Sequence, residues 1–239
     1  MEERVILYRQ NSPDGPVEVV ERWNEGRRER QLLVDGALQS ASYTEYGAHC
    51  DRLFRYMEEF LMAYRIHPGA ERTLLIGGGG FAFPKYFIRY REGILEVAEK
   101  SAEIIGLAKR FFYLDELLET DRPLESGRLI IHNEGGETVL AERTAAFDVI
   151  LNDAYSGDVP LPALKGAKGA ALIRSALREG GVYAANIVTA SKGPFALRVN
   201  REIRALQKVF RYTLLVPCDD TLSPWERQNC VLFASDRSL

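Results

Sequence analysis

Apolar and polar residues alternate at the start of the chain. Val5-Ile6-Leu7-Tyr8, then Val17-Glu18-Val19-Val20-Glu21-Arg22-Trp23, then Arg30-Gln31-Leu32-Leu33-Val34 read as strands. The runs Ser12-Pro13-Asp14-Gly15-Pro16, Asn24-Glu25-Gly26 and Asp35-Gly36 carry turn chemistry between and after them. Residues 1–42 are therefore expected to form a small N-terminal β-module. From residue 51 to 64 the period changes: Leu53, Phe54, Met57, Phe60, Leu61 and Tyr64 recur at helical spacing, and His67-Pro68-Gly69 ends the pattern. Residues 43–70 thus read as a linking helix.

From residue 71 to 239 short apolar runs alternate with longer helical stretches. Thr73-Leu74-Leu75-Ile76 runs into glycines, and Ile94-Leu95-Glu96-Val97 precedes a helical stretch over 103–112. Arg128-Leu129-Ile130-Ile131-His132 follows, and residues 147–153 form an almost continuous buried run. A helix over about 166–178 is expected to end at Gly180-Gly181, followed by a strand over 182–187 and a long helix over 194–210. Such alternation marks an α/β fold, a largely parallel sheet covered by helices on both faces. The last apolar runs, residues 212–216 and 230–234, are close enough in sequence to pair as an antiparallel hairpin at one sheet edge. They bring the main sheet to seven strands.

Composition narrows the partners. The chain is 46% hydrophobic and 27% charged, the mixture of a soluble globular protein with a substantial core. Lys and Arg number 31 against 34 Asp and Glu, so the basic footprint of a nucleic-acid binder is missing and nucleic acid is not an expected partner. An acidic start, Met1-Glu2-Glu3-Arg4, and the lack of any apolar run near the roughly 20 residues that cross a bilayer lead to the expectation of a cytoplasmic protein without a membrane partner. Cys50, Cys218 and Cys230 are widely spaced and His49, His67 and His132 share no ligand spacing, so neither a disulfide framework nor a metal site is expected.

The strongest chemical signal is Leu75-Ile76-Gly77-Gly78-Gly79-Gly80-Phe81-Ala82, placed where a strand gives way to a helix. Glycines there let a ligand approach the backbone, and amides at the helix start are free to meet it. Glu96, near the end of the next strand, is a carboxylate that could accept both hydroxyls of a ribose diol. Glu134 follows the third strand, and Asp153 ends the fourth, at the middle of the crevice where a reacting group should stand. Together these residues point to a nucleoside-containing ligand. Two classes share the geometry, nicotinamide dinucleotides and sulfonium nucleosides of the S-adenosylmethionine type, and nothing like a set of hydride-transfer residues accompanies the glycines.

In these motifs the chain resembles the spermidine synthase (polyamine aminopropyltransferase) family, whose catalytic domain is a methyltransferase-like Rossmann fold preceded by a small β-domain. Leu33 to Ser40 is similar to the family's LDG…Q segment, Tyr56-Met57-Glu58 to its Tyr-His/Gln-Glu segment and Ile76 to Gly79 to its IGGGDG loop. Glu96 resembles the acid of its EID segment, Glu134-Gly135 its Asp-Gly pair, residues 147–153 its FDVIxxD run and Arg178 to Val182 its LxxGGV turn. The resemblance implies a seven-stranded methyltransferase-like Rossmann sheet and an enzyme of polyamine biosynthesis, likewise cytoplasmic and homodimeric. It would bind decarboxylated S-adenosylmethionine, or S-adenosylmethionine, as co-substrate and alkylate a small amine. It also implies roles: Gly77, Gly78, Gly79, Glu96 and Glu134 for the nucleoside, with Gln39 at its thioether end; Tyr56 for the acceptor amine; Asp153 as anchor and proton relay, with Asp158 as a second acid at altered spacing. Tyr155 is a further substrate-binding residue in this resemblance, and with Pro160-Leu161-Pro162 it corresponds to a loop that covers the site.

Two positions depart from the family pattern. Gly80 stands where the family carries the acid that holds the donor's ammonium, and Met57 replaces a polar partner after Tyr56. Methyl transfer on the same scaffold, or a non-catalytic nucleoside-binding relative, therefore stays open beside aminopropyl transfer. Arg198, Arg201, Arg204, Lys208 and Arg211 recur at helical spacing and read as a solvated face, and Trp225 is expected to pack at a sheet edge.

Overall fold

The computed structural model describes residues 4–13, 15–24, 26–45, 47–48, 50, 54–156, 159–160 and 164–239, with the side chains of 155, 156, 159, 160 and 198 left aside. Its residues cluster into two compact units, one of 1–53, 78–92 and 101–130, the other of 54–77, 93–100 and 131–239.

In the first unit, β1 (Val5–Ser12), β2 (Gly15–Asn24), β3 (Arg27–Val34) and β4 (Ala37–Tyr43) form an antiparallel sheet in chain order. Asp35 and Gly36 both take positive φ, 49° and 75°, the conformation a tight hairpin needs. The sequence pattern did not announce β4, because its buried residues are Ser40, Ala41 and Ser42 rather than large apolar ones. Its register with β3 slips where Leu32 faces Ser40 and Leu33 faces Leu38, so Gln39 is the extra residue of a β-bulge. The unit also holds α3 (Ala82–Tyr90), α4 (Ala102–Phe111) and α5 (Leu114–Thr120). Ser101 caps α4 by accepting from the Ile104 amide at 3.2 Å, and Leu107 and Phe112 pack on Val17, Val19 and Leu32 of the sheet. Lys85 of α3 is buried, its Nζ donating to Ser42 Oγ at 2.5 Å and to the Phe112 carbonyl at 2.7 Å.

The second unit opens with α1 (Arg55–Phe60) and α2 (Met62–Ile66), a break at Leu61 splitting the expected linking helix. The main sheet comprises β5 (Arg72–Ile76), β6 (Ile94–Ala98), β7 (Leu129–His132), β8 (Phe147–Asn152), β11 (Leu177–Thr189), β12 (Tyr212–Pro217) and β13 (Gln228–Ser235), in the order β12-β13-β11-β8-β5-β6-β7. Strands β6, β5, β8 and β11 are parallel; β13 runs antiparallel to β11 and to the edge strand β12, giving the expected terminal hairpin. Two short strands, β9 (Tyr155–Ser156) and β10 (Val159–Pro160), pair with each other after β8. Helices α6 (Gly136–Ala141), α7 (Gly166–Ala176) and α8 (Pro194–Leu206) complete the unit. The core joins Leu74 and Ile76 of β5, Ile150 of β8 and Ala185 and Ile187 of β11 to Ile173 of α7 and Leu206 of α8.

Two expected boundaries move. Helix α7 ends at Ala176 instead of 178, because Leu177 already pairs with Phe147; Gly180 at φ 69° and Gly181 then form an irregularity inside β11. Helix α8 stops at Leu206, although Phe210 still buries beneath it. Val199 and Leu206 are buried and Arg201, Arg204, Lys208 and Arg211 exposed, as the spacing predicts. Trp225 does not pack away at the edge: it is 64% exposed, with its ring lying against Gly193. The three cysteines are free, and burial pushes the thiol of Cys218 up to about 12 and of Cys230 up to about 11, so neither is a reactive nucleophile.

Candidate active site

Sheet order fixes where a ligand can enter. The chain leaves β5 for β6 and β7 on one side and returns to β8 on the other, so the strand order reverses between β5 and β8. Gly77 follows β5 there, and Asp153 follows β8. The Asp153 amide donates to the Ile76 carbonyl at 2.8 Å and the Gly77 amide to the Ala98 carbonyl at 2.9 Å. Gly77 takes φ 93°, and a Cβ on it would stand 2.9 Å from the Asp153 carbonyl oxygen. Only glycine lets the two strand ends approach this closely.

The Asp153 side chain sits between two donors. Tyr56 of α1, itself buried and stacked on Phe54, donates its hydroxyl to Oδ2 at 2.8 Å. Asn186 of β11 donates its Nδ2 to Oδ1 at 3.1 Å. Desolvation raises the carboxyl to about 7 even though the bonds from Asn186 and Tyr56 pull it down. Asp153 retains partial exposure, so it is both poised near neutrality and reachable. Sequence reading missed Asn186, which sits on a strand among apolar neighbours and gives no motif.

Glu96 stands inside β6 rather than at its carboxyl end, and it is fully buried. Its Oε1 accepts from Arg72 Nε at 2.6 Å and its Oε2 meets His132 Nε2 at 2.7 Å, so both oxygens are engaged within the sheet. The acid at the carboxyl end of β6 is Glu99. Its amide donates to the His132 carbonyl at 3.0 Å, and Asn133 Nδ2 donates to its carbonyl at 3.1 Å. The signal that would have found it is the helix cap: Ser101 starts α4, so the loop after the strand begins at Glu99. Glu134 lies half-buried in the bend between β7 and α6. Asp158 lies outside the described residues, as does the side chain of Tyr155.

Gly78, Gly79 and Gln39 belong to the first unit. Gln39 is exposed at the bulge, its Nε2 3.4 Å from the Ala37 carbonyl. A Cβ on Gly79 would lie 3.8 Å from the Gln39 carbonyl, so the bulge faces the glycine loop. At Gly80 a Cβ would come within 2.6 Å of Ser40 Oγ, 2.9 Å of Ser40 Cβ and 3.1 Å of Phe112 Cδ1. Any side chain at position 80 would therefore be crowded by Ser40 and Phe112. Gly80→Asp should cost about 1–3 kcal/mol of stability, with Ser40→Gly recovering most of it, as read by urea denaturation; a Gly80→Asp protein as stable as the parent would contradict the crowding. Among the described residues no group of three or more His, Cys, Asp or Glu is placed to hold a metal ion. No described helix is long and apolar enough to cross a membrane.

No protein-family model matches the chain. The spermidine synthase of Schizosaccharomyces pombe is 28% identical over 155 residues, 63% of this chain and 47% of that protein. The chain thus spans about half the length of the curated relative it matches. Among solved structures, a probable spermidine synthase from Corynebacterium glutamicum superimposes with a TM-score of 0.76 at 20% identity, over 97% of this chain and 81% of the other. A spermidine synthase bound to the transition-state analogue AdoDATO gives 0.70 at 21% identity, over 97% and 74%. Human methyltransferase-like protein 13, in complex with SAH, gives 0.59 at 16% identity, over 77% and 82%. The chain is spermidine-synthase-like in sequence, and its fold is the methyltransferase-like α/β sheet with an added N-terminal β-sheet that its motifs imply.

Proposed function

We propose that the protein is a spermidine-synthase-like transferase that binds a sulfonium nucleoside of the S-adenosylmethionine type, with the decarboxylated form as donor, and alkylates a small amine. The observation that carries this reading is Asp153: an acid at the strand-order reversal, pressed against Gly77 and held by Tyr56 and Asn186. The similarity to a spermidine synthase and the analogue-bound neighbour support the ligand class.

The chemistry needs a neutral amine. An alkylammonium with a pKa near 10 meets a carboxylate; one proton passes to the acid, the nitrogen lone pair forms the new C–N bond, and the C–S bonding pair returns to sulfur as a thioether. Moving that proton to an ordinary aspartate near 4 would cost about 8 kcal/mol, but to one near 7 only about 4 kcal/mol. Burial of Asp153 therefore narrows the gap, against the pull of the bound ammonium, which favours the charged carboxylate. Tyr56 and Asn186 hold the carboxylate in position, and no atom of the chain needs to form a covalent intermediate.

In this reading the ribose is held by Glu99, at the end of β6, with Glu134 near the base. Glu99→Gln should weaken methylthioadenosine binding about 10- to 100-fold, as one charged hydrogen-bond acceptor is lost. Glu96→Gln should leave that affinity within a few-fold and lower the melting temperature, because Arg72 and His132 lose their partner. The opposite pattern in calorimetry would return the ribose to Glu96.

The proposal as a whole is tested by titrating methylthioadenosine, S-adenosylmethionine and its decarboxylated form. Binding of none of them overturns it. Methyl transfer is the second reading, favoured by Ser40 and Phe112 filling the space beside Gly80 where an ammonium-holding acid would stand. It requires the carboxylated donor to bind more tightly than the decarboxylated one.

A further inference from the structure

One acceptor on a side chain that holds Asp153 is buried without a partner among the described residues. Asn186 is 4% exposed on β11, next to Ala185, which pairs with Asn152 of β8. Its Nδ2 serves Asp153, while its Oδ1 is buried with no hydrogen-bond partner among the described residues. Buried amide oxygens are satisfied in native proteins with few exceptions, and an exception beside a reactive acid points to a ligand group. Tyr56 and Asn186 both donate to Asp153, and Oδ1 is the half of the Asn186 amide that this contact does not use.

We propose that Asn186 binds the acceptor amine directly: its Oδ1 accepts one N–H of the nucleophilic nitrogen while Asp153 engages another, which turns the lone pair towards the sulfonium-bound carbon. The inference rests on the reading of Asp153 as the amine site. A primary ammonium brings three N–H bonds. Asp153 removes one proton, and the neutral amine left behind has two N–H bonds and one lone pair, so two acceptors fix its direction. The second acceptor does best uncharged, since another carboxylate would strengthen the amine's hold on its proton. An amide oxygen orients the N–H without that effect. As the C–N bond forms and the C–S pair moves to sulfur, the nitrogen becomes positive, and Oδ1 then accepts from a stronger donor than in the ground state.

Calorimetry of 1,4-diaminobutane into protein saturated with methylthioadenosine tests this. Asn186→Leu should weaken diamine binding about tenfold or more while methylthioadenosine affinity stays within about twofold of the parent. Unchanged diamine affinity in that variant overturns the inference and leaves the proposed function standing. A parent protein that binds the nucleoside and no diamine removes both together. Should Asn186→Leu not fold, Asn186→Ala decides: it removes the amide oxygen without adding a charge beside Asp153, so diamine affinity should again fall about tenfold. Diamine affinity equal to the parent's in that variant overturns the inference.

Discussion

Replacing Asp153 with asparagine should cut turnover by about 10³-fold, within the range that positioned acid–base groups contribute, and at the same time stabilise the protein at pH 8. The stability gain follows from linkage. The folded carboxyl sits near 7, above its unfolded value near 4, so between those pH values the folded chain binds more protons than the unfolded one. Stability from this group is therefore complete below about pH 4, lost as pH rises to about 7, and absent above it. The ionised form at pH 8 carries a penalty of at most roughly 4 kcal/mol, reduced because the side chain keeps some contact with water. Asparagine has no such penalty. The melting temperature of Asp153→Asn should exceed the parent's by several degrees at pH 8 and by little at pH 4, and an equal difference at both would show that Asp153 is not perturbed. Loss of turnover with gain of stability is the signature of an acid kept for chemistry.

Lys85→Met should remove a rise of stability with alkaline pH. Burial pushes the Lys85 amine down to about 7 from its usual value near 10.4, and its partners are the Ser42 hydroxyl and the Phe112 carbonyl. Between about pH 7 and 10 the unfolded chain holds a proton that the folded chain has released, so unfolding becomes harder as pH rises. The full penalty, present below about pH 7, is roughly 5 kcal/mol as an upper bound. Urea denaturation at pH 6.5, 8 and 9.5 should show the parent gaining stability relative to Lys85→Met across the series. Parallel curves would mean that Lys85 stays charged in the fold. Methionine also leaves the Phe112 carbonyl without its donor, at about 1–3 kcal/mol, which is why the slope is the test rather than stability at one pH.

The parts of this molecule that were legible in its sequence are those with a strong local period or a steric demand. The parallel strands 73–76 and 147–152 are almost wholly apolar, and Gly77 is needed for the approach of Asp153, so both sides of the strand-order reversal could be read directly. Strand β4 escaped because two serines and an alanine do its buried work. Glu96 attracted a ligand role because an acid among apolar residues is conspicuous, yet Arg72 and His132 reach it from neighbouring strands, and pairing across a sheet leaves no trace in linear spacing. Asn186 was invisible for the same reason: its meaning comes from Asp153, 33 residues earlier.

The interleaving of the two units has a consequence for how this protein can be cut, fused or exchanged with relatives. Each unit is assembled from three stretches of chain, and the polypeptide passes from one to the other at 53, 77, 92, 100 and 130. Removing residues 1–42 would strip Val17, Val19 and Leu32 from Leu107 and Phe112 and expose the apolar side of α4. Expressing 71–239 alone would do the same and would also discard Tyr56, leaving Asp153 with Asn186 as its side-chain donor among the described residues. Neither unit is a transplantable cassette. Both are completed late in synthesis, when residues 101–130 and then 131–239 have emerged, so a nascent chain halted early carries unfinished hydrophobic faces that invite aggregation.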